Sequence, residues 1–212
     1  MSESQEAKKR KKRSESILED YHIPILDELP VIETNSQSHR RTPQEVAERI
    51  LALAKVYLTS QKVEHGFLGD GISKCDLRFL SPLEEIFVKS SRKSRREIDK
   101  YSWRIECLWV MLWVVNRVPK MSAMDQECDV HTAIDLVKSW PVERLLDNSK
   151  MRSQAEILDE CDLIYRCHWA VRDAQLSGEM LPVLNAGVIM ERHYALNWLT
   201  QCSEWDEIEL HT

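Results

Sequence analysis

With 212 residues, 43% of them hydrophobic and only five glycines, the chain has enough material for one sizeable helical core and too few turn glycines for a β-sandwich. Its formal charge of −6 hides an asymmetry: residues 8–13 (KKRKKR) carry six positive charges, and from Ser14 onward 23 basic side chains face 33 acidic ones. That acidic body argues against a dedicated nucleic-acid-binding domain, and the lack of a long apolar run or an apolar leader argues against a membrane or secreted protein.

Residues 1–16 are polar and charged and predict a disordered basic tail. Over 17–40 two prolines and scattered apolar residues predict an extended arm lying on the domain, anchored by Ile23, Ile25, Leu26, Leu29 and Val31. A single helical domain is expected over 41–212. Its first helix opens at Thr42-Pro43-Gln44-Glu45, with a capping threonine, proline at the first helical position and glutamate at the third. Glycines 66, 69 and 71 mark a loop over 61–74 that lacks the lysine and hydroxyl pair of a phosphate-binding loop. Ser81-Pro82-Leu83-Glu84 repeats the capping pattern and starts a short helix presenting Leu83, Ile86 and Phe87. After the basic run KSSRKSRR, read as a solvated linker, the most apolar helix is expected from about Ile98 to Val115.

Two short helices broken at Pro141 follow, with Val130, Ile134, Val137, Val142, Leu145 and Leu146 facing inward. Ser153 and Glu156 open a long helix whose apolar positions Ile157, Cys161, Ile164 and Val171 recur at helical spacing, and the domain is expected to organise around it. A last helix carries Val188, Ile189, Ala195 and Leu199, and Trp205 and Ile208 dock the tail. The fold class is all-α: a compact multi-helix domain of about six to eight helices with an extended N-terminal arm.

In order along the chain, RTPQEVAERILAL (41–53), LSPLEEIFV (80–88), SWRIECLWVMLW (102–113), ILDECDLIYRCHWAVRDA (157–174), GVIMERHYALNWL (187–199) and WDEIELHT (205–212) resemble the bacterial family catalogued as domain of unknown function 4272. The resemblance implies an all-helical fold and no particular reaction. The KKRKKR tail is outside the family pattern in this reading.

Glu156, Asp159 and Asp162 stand three apart on the long helix and are the candidate oxygen ligands for a hard cation, although no metal is expected. Asp162, His168 and Glu191 are the candidate catalytic groups, and Arg104, Arg166, Arg172 and Arg192 the candidate ligand-binding ones. Against these roles stands a structural reading. It makes His168 a core histidine bonded to a carboxylate or carbonyl, and it joins the arginines to Glu106, Asp162 and Glu191 in an interhelical network. Cys167 and His168 point about 100° apart and make a poor nucleophile–base pair. The six cysteines form no CxxC and read as buried thiols in a reducing compartment, so a cytoplasmic protein without a cofactor is expected.

Three functions remain open. The first is a non-enzymatic protein-binding module using its acidic surface. The second is a helical hydrolase or transferase acting on a small anionic substrate through 156–172 and 191–192. The third is accessory nucleic-acid binding through residues 8–13.

Overall fold

The computed structural model describes residues 3–63, 72, 77–139 and 151–211. Among these, eight α-helices and two 3-10 turns carry the fold, with no strand. The helices are α1 (Glu3–Asp20), α2 (Pro43–Ser60), α3 (Pro82–Lys89), α4 (Arg95–Ser102), α5 (Arg104–Val114), α6 (Val130–Lys138), α7 (Gln154–Ser177) and α8 (Ala186–Thr200). None is long and apolar enough to cross a membrane. Most of the glycine-bearing loop and the second short helix expected after Pro141 lie outside the described residues.

Local sequence chemistry sets the helix starts. Thr42, Ser81, Ser94 and Ser153 each accept a hydrogen bond from the backbone N–H of a glutamate three residues on, whose carboxylate reaches back to the cap N–H. At the other end of α7, Gly178 takes a left-handed conformation with φ 71°, which a side chain would strain.

Packing runs in a row from α1 to α7, α8, α5 and α2, with α3, α4 and α6 against α2. The centre is α5, where all eleven residues are buried, rather than α7, which is covered by α8 on one side and α1 on another. The single helix expected over 98–115 divides at Trp103, whose indole lies against Gly187 at the start of α8. A Cβ at Gly187 would come within 2.7 Å of that ring. Ser94 turns the end of the basic run into a helix start, so Arg95 and Arg96 belong to α4.

Two local expectations change with the structure. Only Phe87 of the three apolar residues assigned to the face of α3 is buried, because Glu84 turns inward to pair with Arg49 while capping Ser81. Leu83 and Ile86 are thereby left in solvent. The basic tail is not disordered: Ala7, Arg10, Ser14 and Leu18, spaced three, four and four, form the buried stripe of α1 against α7. Arg10 donates to Asp159 on α7 at 3.1 Å and to the carbonyl of Glu33 at 3.1 Å, and Lys11 donates to the carbonyl of Leu29 at 2.7 Å. These bonds, with one from Arg166 to the carbonyl of Pro30 at 3.1 Å, satisfy an arm that has no secondary-structure partner for its backbone. Helix α1 extends to Asp20, so the arm begins at Tyr21. Ile23 and Leu29 anchor it, Ile25 and Leu26 are partly covered, and Val31 is exposed.

Candidate functional site

Most of the candidate charges enter the interior from α5, α7 and α8. Arg104, first residue of α5, donates to Glu191 of α8 at 2.8 Å and stacks over Tyr194, its guanidinium 4.1 Å from the ring centre. Two residues on, Glu106 accepts from Arg192 at 3.2 Å and from the backbone N–H of Cys128 at 2.5 Å. Positions two apart on a helix point about 200° from each other, so Arg104 and Glu106 serve opposite sides of α5. Arg192 spends its other donors on the Ser122 carbonyl and hydroxyl and the Gln126 carbonyl, which orders the chain leading to α6. On α7, Arg166 grips Asp162 with two bonds of 2.9 Å.

Those pairs decide where the candidate groups stand. Asp162, His168 and Glu191 each hold a different partner: Arg166, His193 and Arg104. Of the candidate arginines, 104, 166 and 192 are buried in ion pairs, and Arg172 is exposed. The acidic trio diverges: Glu156 completes the cap of α7, Asp159 pairs with Arg10 and Arg13, and Asp162 is buried with Arg166. No cluster of metal-ligating side chains occurs among the described residues. The interhelical network is present as Arg192–Glu106 and Arg104–Glu191, while the Asp162 pair lies within α7.

His168 departs from its expected partner. Its Nδ1 lies 2.7 Å from Nδ1 of His193, so one ring donates N–H and the other accepts, and each carries its proton on a different nitrogen. Burial, with the nearby charge of Arg172, pushes His168 down to about 4. Burial, with the neighbouring ring, pushes His193 down to about 3. Both imidazoles are therefore neutral at physiological pH.

A family model described as Domain of unknown function (DUF4272) matches residues 10–208. The chain belongs to the DUF4272 family. Its match begins at Arg10, so four of the six residues of the basic segment, including the residue that anchors α1, fall within the DUF4272 region and not outside it. No curated protein and no solved structure matches the chain.

A cavity of about 680 Å³ in this DUF4272 domain opens on the far side of His193. Cys161 and Tyr165 of α7, His193 and Asn197 of α8 and Gln201 just after it form its floor; the arm from Pro30 to Thr34, the start of α1 and the tail at Glu209 and His211 form its walls. Burial lifts the Cys161 thiol to about 12, and the charge of Glu33 pushes the same way, so this sulfur is held protonated. Residues 193, 197 and 201, at i, i+4 and i+8, are the signal for this polar stripe in the sequence. The Glu33 wall comes from the arm, more than 120 residues away in sequence, and has no local signal.

Proposed function

We propose that this DUF4272 chain is a non-enzymatic protein-binding module whose acidic surface takes a basic partner. Partition of charge supports the reading: among the described residues seven basic side chains are buried against four acidic ones, so the solvent-facing surface is more acidic than the composition. The observation that carries it is the end of α7 and the turn after it, where Leu176 is 82% and Met180 85% exposed beside the exposed carboxylates Asp173 and Glu179. Large apolar side chains standing in water beside charges are what a contact surface offers: the apolar part supplies affinity and the charged rim orients the partner. Internal neutralisation of Asp162, Glu191 and three of the four candidate arginines removes the groups that hydrolysis or transfer on an anion would use. The cysteines described as free, four of them buried, are in keeping with the cytoplasm as the working compartment.

Affinity capture from untreated lysate with the tagged full chain tests the proposal, followed by Asp173→Lys and Glu179→Lys. A stoichiometric partner at physiological salt, weakened about tenfold or more by charge reversal, is expected. Absence of any reproducible stoichiometric partner, or a partner indifferent to both substitutions, contradicts it.

A further inference from the structure

The cleft beside His193 opens onto three polar groups with no protein partner among the described residues, while others in its lining are paired, Glu209 with His211 and Asn197 with the Glu209 carbonyl. His193 is 2% exposed and spends Nδ1 on His168, and its Nε2 has no partner among the described residues. The Tyr165 hydroxyl and the Glu33 carboxylate, both lining the same space, likewise have none. Elsewhere the buried acids hold arginines, as Asp162, Glu106 and Glu191 do. Of the three only His193 is buried, and a buried ring nitrogen that faces a cavity is a group a ligand satisfies; the half-buried Tyr165 hydroxyl and the exposed Glu33 carboxylate are open to water and to the same ligand.

Chemistry of the lining selects the ligand. Glu33 contributes a carboxylate, Glu209 one that already pairs with His211 at 2.8 Å, Asn197 and Gln201 contribute amides, and no lysine or arginine is among the lining residues. The rings of Tyr165 and His193, with centroids 5.9 Å apart, give the floor an aromatic surface. A carboxylate beside an aromatic face attracts an ammonium group by charge and by the ring quadrupole, and repels an anion. The volume falls within the roughly 300–1,000 Å³ of small-molecule sites.

We infer that this cleft binds a small organic cation of the amine class, with Glu33 pairing its ammonium group, Tyr165 facing it and His193 Nε2 accepting one of its N–H bonds. In the arrangement in which His193 donates Nδ1–H to His168 Nδ1, Nε2 presents a lone pair to the cleft, and an N–H donor bound there selects that tautomer of the pair. The site is distinct from the α7–α8 turn, and its ligand is a small molecule where that surface takes a protein.

The test titrates the full chain with phenethylammonium and agmatine, and with phenylacetate as the anionic counterpart, to about 10 mM, by calorimetry and by NMR of ¹⁵N-labelled histidine. Saturable binding of at least one amine, a moving His193 Nε2 resonance and no response to phenylacetate are expected. Glu33→Gln and Tyr165→Phe, which leave every internal ion pair intact, should each weaken the amine by about tenfold, the scale of one charge-assisted contact. Asp173→Lys with Glu179→Lys should leave it unchanged. No saturable response to either amine, equal binding of phenylacetate, or amine binding indifferent to both cleft substitutions overturns the inference.

Discussion

The histidine pair makes the protein's stability depend on mild acid, and the dependence can be worked out. Unfolded histidine takes up a proton near 6.5, whereas burial holds His168 near 4 and His193 near 3. Their folded values are depressed, so as pH falls below about 6.5 the unfolded chain binds protons that the folded chain refuses. Stability is full above that point and is lost progressively as pH approaches the folded values. By about pH 5 each histidine should have cost about 2 kcal/mol, or about 2 to 4 kcal/mol for the pair when sharing of one proton across the Nδ1–Nδ1 bond is allowed for. Carboxylates whose folded values are lowered, such as Glu45 and Glu156, give up stability only as pH falls past the ordinary value of 4.5. Glu160, whose burial raises its carboxyl, works in the opposite sense, so the imidazole contribution between about pH 6.5 and 5 is read from the difference between the wild type and the histidine variants. Urea denaturation followed by tryptophan fluorescence at several pH values should show this slope in the wild type and a flatter one in His168→Gln and in His193→Gln. A slope shared by all three proteins refutes the reasoning.

Deleting residues 1–16 should lower the melting temperature by more than about 5 °C, because it removes Arg10 from Asp159 and uncovers α7; changing only the exposed Lys8, Lys9 and Lys12 to alanine should leave it unchanged. Calorimetry checks both. Gly187→Ala should destabilise by about 1–3 kcal/mol through overlap with Trp103, measured by chemical denaturation. Trp169 is only partly buried, over the crevice lined by Leu18, Ile25 and Leu29, so Trp169→Ala should cost about 1–2 kcal/mol in the same assay, less than the ~3 kcal/mol or more of a fully buried tryptophan.

Features encoded within one helical turn were legible before the structure. The caps at Thr42, Ser81 and Ser153 depend on residues three apart, and the sequence pattern places them correctly. Pairing of arginines with Glu106, Asp162 and Glu191 was legible in kind, since buried charges need partners, but not in its assignments. Helix α1 was illegible for a physical reason: its buried stripe is Ala7, Arg10, Ser14 and Leu18, and the middle two carry no apolar signal, Arg10 being buried only because Asp159 and the Glu33 carbonyl are brought to it. The partner of His168 was not legible because an imidazole N–H donates to another imidazole nitrogen as readily as to a carbonyl, and only the packing of α7 on α8 selects His193. The break at Trp103 escaped notice because 98–115 is helical in propensity throughout, and the close approach that interrupts it comes from Gly187 on a distant helix.

The central claim is that the charged interior of α5, α7 and α8 holds the fold together while function belongs to the surface and the cleft. Equilibrium denaturation of Asp162→Asn and Glu191→Gln tests it most directly, because each substitution removes the carboxylate hydrogen-bonded to a buried arginine, leaving Arg166 the Glu15 carboxylate at 3.9 Å as its remaining counter-charge, and changes almost no volume. A loss of about 3–5 kcal/mol in both is predicted. Near-wild-type stability in both contradicts the account, since carboxylates that the fold does not need would have to be retained for chemistry.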